Sequence, residues 1–350
     1  MAETKAVREH YDNLDGFRAI SCLCIIAMHI RANAAYEISD LVFNKIVPSW
    51  TQFVPLFLMI SGFGMFCGYY ERFRSKSIDL DTFYLKRYQK ILPFFAVLIV
   101  IGVIMEHSVA GFIEGLTEAT LTFGLLPNNQ LSVIGVSWTL GVIFLFYMLF
   151  PFFVFLCSNP RRAVGALLVS IMLSLFCSGY FFKEQFVIAD FAERHNFLYC
   201  TPFFLGGGCT YLFRHKIRSL FSKNRWVSLA GCIALTVLWY FVPNAVGTVS
   251  ILMLKNLVLF LPWLWYAISV ESKVLNNRVM KYLSGISLEL YLAQMIVFRV
   301  LEKVHGLYLF GKGWLSFLAA WAAVTVGLII MIECYRKASA LILSKRKANS

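Results

Sequence analysis

Runs of about 17–25 predominantly apolar residues, the length that crosses a bilayer as a helix, recur along the whole chain. They fall near residues 17–33, 50–70, 91–106, 136–157, 162–182, 197–213, 226–242, 248–270, 283–303 and 314–334. Short polar or basic connections separate them. Backbone polar groups have no water to bond in hydrocarbon, so such runs satisfy themselves as helices. The pattern predicts an all-α fold, a polytopic membrane helix bundle of about ten transmembrane helices. We expect one integral-membrane domain over residues 1–350, with a core bundle at 14–334 and a basic cytoplasmic tail at 335–350. The first run has no small-residue cleavage site behind it and reads as a retained helix rather than a signal peptide.

Composition sharpens this reading. The 350 residues are 59% hydrophobic and only 15% charged, against about 25% charged in soluble domains. The mean hydropathy is +0.70. Lipid is therefore the expected solvent. The net charge of +13 could point to nucleic acid, but its distribution points to topology. With the N-terminus placed in the cytoplasm, alternating segments on that side hold 23 of the 32 Lys and Arg. This is the positive-inside bias, and an even number of spans leaves both termini cytoplasmic. No nucleic-acid partner is expected. The nine cysteines follow no metal-binding spacing, so they read as small buried residues and no metal is expected.

The polar residues inside the apolar runs carry the functional signal. Arg18 and His29 in "LDGFRAISCLCIIAMHI" stand about 20° from three full helical turns apart, on one face and about 16 Å along the axis. Ionisable residues at such depth are costly unless they face protein or a water-filled cavity, so this face should line the bundle interior. Snorkelling and simple packing are the plain alternatives. Ser61-Gly62 suits close helix packing. Arg72 and Arg74 begin, and Lys86, Arg87 and Lys90 end, a predicted cytoplasmic loop over 71–90. Five cations there suit a polyphosphate, although lipid contact explains such clusters as well. Trp138 falls at the opposite interface, where aromatic belts form. Glu289, Gln294 and Arg299 share one span, with Lys255 in the span before it; the partner of Glu289 stays open between Lys255 and Arg299. Gly206-Gly207-Gly208 reads as a packing surface, and His107 and His195 as solvated.

Together these motifs resemble the integral-membrane acyltransferase 3 family, over nearly the whole chain. Arg18 and His29 fit its Arg, ten residues, His pattern. "FLMISGF" matches its second-helix signature, "KRYQKILP" its basic stretch, "SWTLGV" its Trp element and "ISLELYLAQ" its late Ser-x-x-x-Tyr-Leu segment. Ile143 and Gln294 stand where many members carry Glu and His. The resemblance implies a cell-membrane enzyme that moves an acetyl or other short acyl group from acyl-CoA, most often acetyl-CoA, to a carbohydrate or glycolipid hydroxyl. His29 and Arg18 would then be the catalytic pair. Donor binding would fall to Arg18, Arg72, Arg74, Lys86, Arg87 and Lys90, and substrate binding to Ser61, Trp138, Glu289, Tyr291 and Gln294. The expected partners are acyl-CoA, the acceptor and the bilayer, and the chain could pair as a homodimer.

An imidazole titrating near 6.5 suits proton abstraction from a hydroxyl at neutral pH, or brief carriage of the acyl group. Two other readings remain at this level. Lys255, Glu289 and Arg299 could line the ion path of a transporter, and an inactive family member would keep the fold without the chemistry.

Overall fold

A computed structural model of the chain describes residues 11–126, 133–187 and 191–348. Lys5 and Arg8, part of the N-terminal charge argument, lie outside them, as do six residues of the long 107–135 connection. The described residues form thirteen helices and one short hairpin. The helices are α1 (Asp12–Asn33), α2 (Val42–Arg74), α3 (Leu80–Glu106), α4 (Val109–Ala119), α5 (Trp138–Met148), α6 (Phe150–Leu156), α7 (Pro160–Tyr180), α8 (Phe197–Lys223), α9 (Arg225–Trp239), α10 (Leu252–Ser269), α11 (Arg278–Gly285), α12 (Ser287–Lys303) and α13 (Trp314–Ala348). The hairpin pairs Ala245–Val246 with Val249–Ser250.

All ten apolar runs are helical, but not all of them qualify as spans. Six helices, α1, α2, α3, α7, α10 and α13, are long and apolar enough to span by themselves. Two further pairs of helices pass only when each pair is taken together. The α5–α6 pair bends by 54° and the α11–α12 pair by 70°. Pro151, in the first turn of α6, has no N–H to continue the α5 ladder. Neither α8 nor α9 passes as a span by length and composition, so the described residues hold six to eight candidate spans rather than about ten. In α8 every residue from Tyr199 to Tyr211 is buried, three glycines among them, which lets neighbouring backbones approach closely.

The α8 helix is the centre of the bundle, packed on α2, α7 and α10. Its contact with α2 requires glycine. A Cβ on Gly207 would stand 2.0 Å from the Met59 carbonyl oxygen, and one on Gly62 would stand 2.2 Å from that of Phe204. The packing role expected of both small-residue motifs is therefore seen. Aromatic rings fill the space around this seam: Phe63, Phe66, Tyr70, Phe150 and Phe204 are all buried. At the far ends of the chain, α1 packs against α11, α12 and α13.

Two boundaries differ from the expectation. The loop predicted over 71–90 shrinks to residues 75–79, because the Asp79 side chain caps α3 by accepting from the Thr82 amide at 2.6 Å. Lys86, Arg87 and Lys90 are helical. The 335–350 tail is likewise helical as far as Ala348.

Candidate active site

The bend between α11 and α12 opens a cavity against α1, α2, α3 and α5. Arg18, Arg87 and Lys90 line it, with Glu289, Ser61, Tyr147, Thr139, Tyr291 and the Ser284–Gly285 turn. Six residues singled out from sequence thus meet in one place: Arg18, Ser61, Arg87, Lys90, Glu289 and Tyr291. The charges of Arg18, Arg87 and Glu289 all act on Lys90. Three cations face one carboxylate, which leaves the cavity net positive.

Local contacts fix these side chains. Arg87 donates to the Tyr69 hydroxyl, and its guanidinium lies 4.8 Å from the Tyr69 ring and 5.7 Å from that of Tyr147. The Tyr147 hydroxyl is 3.3 Å from Ser61 Oγ. Arg18 packs beside Gly64, one turn from Ser61, where a Cβ would be in ordinary contact with its Nη2 at 3.5 Å. Asp15, one turn before Arg18, accepts from Ser284 Oγ at 2.7 Å, which ties α1 to the end of α11. Glu289 faces Arg336 at 3.9 Å, and Arg336 also donates to the Gly285 carbonyl at 3.3 Å.

Neither expected partner of Glu289 is near it. Lys255 bonds the Val242 carbonyl and Asn244 Oδ1, both at 2.7 Å, over the Trp239 ring. Arg299 is exposed. The ion path drawn through Lys255, Glu289 and Arg299 is not assembled. The five-cation cluster also divides. Arg72 packs over Tyr69, and Arg74 over Tyr70 while donating to its hydroxyl at 3.4 Å. Lys86 lies a turn beyond Lys90, exposed. None of the three lines the cavity.

His29 lies elsewhere too. It is half-buried near the other end of α1 and does not line this cavity. The single interior face expected for Arg18 and His29 is therefore shared out between two groups of residues. The second group gathers where α5 meets the start of α8. Trp138 is 7% exposed, its ring stacks on His195 at 4.1 Å, and the Arg194 guanidinium is 6.0 Å from it. The Arg194 charge acts on both His29 and Tyr291. Tyr291 joins the two groups: it lines the cavity, and its hydroxyl is 2.7 Å from Thr139 Oγ1, next to Trp138. Gln294, one turn along α12, donates to the Tyr291 carbonyl at 2.8 Å, and its Oε1 is buried with no partner.

His195 is thus packed rather than solvated. Burial, with the Arg194 charge beside it, lowers its imidazole to about 4, so it is neutral at physiological pH. Arg194, His195, Thr139 and Tyr147 carried no signal of their own in the sequence; Arg194 and His195 precede Asn196, the cap of α8, and only the turn into that helix brings them against Trp138, His195 half-buried and Arg194 exposed. Behind Trp138, Ser137 Oγ donates to Glu118 Oε1 at 2.5 Å. Glu118 has no exposed surface, and burial raises its carboxyl to about 7 despite that bond.

Such a site, cationic at one end and aromatic, polar and histidine-bearing at the other, can hold an anionic donor and take a proton from a hydroxyl. Comparison with curated proteins and with solved structures gave no match. A family model described as an acyltransferase domain matches residues 11–336. With its multiple apolar helices, this multi-pass membrane chain belongs to the acyltransferase 3 family.

Proposed function

We propose that the protein transfers a short acyl group, acetyl the expected one, from cytoplasmic acyl-CoA to a hydroxyl of a carbohydrate or glycolipid. The observation that supports this reading is the join at Tyr291. A cavity holding Arg18, Arg87 and Lys90 ends at a residue that shares the charge of Arg194 with His29.

In this reading the CoA phosphates sit among Arg18, Arg87 and Lys90, where guanidinium groups can bind them bidentately. Lys86, Arg72 and Arg74 lie outside the cavity and serve the positive-inside orientation instead. The flexible arm runs past Ser61 and Tyr147 toward Thr139 and Tyr291. At that end His29 takes the proton of the acceptor hydroxyl as its oxygen attacks the thioester carbonyl. The C–S bond breaks, and the leaving thiolate recovers a proton. Arg194 is placed to stabilise negative charge developing on the carbonyl oxygen. With both termini cytoplasmic, the cationic cavity faces the donor's compartment and the His29 group faces the other side. Trp138, Glu289 and Gln294 act here by shaping the walls and holding Tyr291.

The test is direct. Purified protein is incubated with radiolabelled acetyl-CoA and candidate glycans, and ester-linked label is sought in the glycan. Label that appears with wild type and disappears with His29→Ala, while CoA still binds, supports the reading. Transfer that survives His29→Ala in a folded protein removes His29 as the base.

A further inference from the structure

A second cavity opens between α1, α2, α9 and α10, away from the cations. Phe17, Phe53, Leu259, Phe260 and Trp263 make its walls almost wholly apolar. It runs along the helices. At one end Gln52 accepts from Asn256 at 2.7 Å, Asn256 accepts from Trp239 at 3.0 Å, and Ser49 lies 2.8 Å from the Tyr240 hydroxyl. At the other end Trp263 meets Phe17, ring centres 5.9 Å apart. Asn256 and Trp263 are separated by about 10 Å of helix at 1.5 Å per residue.

Three properties say what fills it. First, most of the wall is half-buried, Phe17, Trp50, Trp239 and Trp263 included, so the cavity opens sideways out of the bundle, and beside spanning helices that surrounding is bilayer. Second, water would find too few partners along these walls, whereas vacancy would forfeit dispersion contacts. Third, Ser49, Gln52 and Tyr240 gather at one end, where the ester and headgroup of a lipid would lie, whereas of the two other polar wall residues Thr236 already accepts from Trp263 at 3.0 Å and Ser21 is a single small hydroxyl. A hydrocarbon chain with one polar end has this distribution.

We propose that this cavity binds one acyl chain of a bilayer phospholipid, its ester at Ser49, Gln52 and Tyr240 and its terminal methyl near Phe17 and Trp263. The site does not depend on the reaction assigned to the first cavity. Ser21 provides a clean way to close it. Its side chain lines the cavity at 1% exposure and its hydroxyl has no hydrogen-bond partner, so a larger apolar residue there breaks no bond.

The probe is phosphatidylglycerol with a diazirine on the terminal carbon of one acyl chain. It is added to the full-length protein in detergent and illuminated, and the cross-linked peptides are mapped by mass spectrometry. Label is expected to concentrate at Phe17–Ser21 and around Trp263, and to be competed by unlabelled phosphatidylglycerol. Ser21→Trp and Leu259→Trp should lower it about tenfold, equivalent to about 1.4 kcal/mol of affinity, and Ser21→Ala should not. Label spread evenly over outward positions such as Val100 on α3 and Ile330 on α13 overturns the proposal. So does label that persists in a filled variant with native melting behaviour. If both Trp variants misfold, the wild-type map decides alone.

Discussion

Tyr291 and Thr139 stand 152 positions apart in sequence, yet their hydroxyls lie 2.7 Å apart, and both side chains are buried walls of the cationic cavity. Each approaches from one half of a bent span: Thr139 begins the α5–α6 pair and Tyr291 follows the α11–α12 bend. Their bond ties the two bent spans together in the cavity wall, next to Trp138 in sequence, so its loss should be read out in turnover.

Tyr291→Phe keeps the ring and its packing on Phe57, 6.4 Å away, and removes only the hydroxyl. The variant should fold with a loss of about 1 kcal/mol, while kcat falls about tenfold or more. Thr139→Val should do the same, and the double variant should be little worse than either. A double-mutant cycle on both melting temperature and kcat checks this; additive losses would dissolve the pair.

The cations divide into two groups, and their kinetics should divide with them. Lys90→Glu and Arg18→Gln should raise KM for acyl-CoA by about 10- to 100-fold, the worth of one charge-assisted bond. Lys86→Glu, exposed one turn away, should change it by less than about threefold. Donor titrations of the three variants, with acceptor held saturating, give the comparison. Equal effects at Lys86 and Lys90 would remove the cavity from donor binding.

His29 should separate chemistry from donor binding. His29→Ala should abolish transfer while CoA affinity, measured by calorimetry, stays within about twofold. His107→Ala, at an exposed helix end, should leave both unchanged.

Close approach at Gly207 should not tolerate even one methyl group. Gly207→Ala forces α2 and α8 apart at the Met59 carbonyl and should cost about 3 kcal/mol or more, seen as a lower melting temperature or loss of folded protein. Gly165→Ala, with nothing within 4 Å of the new atom, should stabilise slightly.

Glu118 predicts a pH dependence. Its folded carboxyl titrates near 7 and its unfolded one near 4.5, so the folded state binds the extra proton between those values. Its contribution is full below about 4.5 and is lost as pH rises through about 7. His195, lowered to about 4, acts in the opposite sense between about 4 and 6.5. Glu118→Gln isolates the first effect. The difference in melting temperature between variant and wild type should widen in the variant's favour from pH 5 to pH 8, and a constant difference would assign Glu118 no such role.

The arrangement of apolar runs was legible because lipid leaves few alternatives: a run of that length becomes a helix wherever it packs. Arg18 and Glu289 could be found for the same reason, since charged atoms within spans must face an interior, whereas Arg87 and Lys90 stood out as members of a basic cluster and Ser61 and Tyr291 through the family's motifs. Arg194 and His195 could not be found this way. Polar residues in a connection are ordinary, and only the fold of that connection onto Trp138 makes them part of the site. Helical spacing also put Arg18 and His29 on one face, and the face is indeed interior. What spacing could not convey is that Arg18 lines the cationic cavity with Tyr291 and Thr139, brought in by other spans, while His29 does not line it. The partner of Glu289 was hidden by range, because Arg336 comes from the last helix.

The glycine seam between α2 and α8 has a mechanical meaning. Ser61 precedes Gly62 on one side of the seam, and Arg194 and His195 lead directly into α8 on the other. Two backbones in direct contact cannot slide or tilt without collision, so the inner and outer groups of the site are carried on one stiff strut. Motion that admits a long donor or releases a product must then fall to the parts outside that strut. The hinges at Leu149 and Ile286, where two spans are already broken, are where the protein can give.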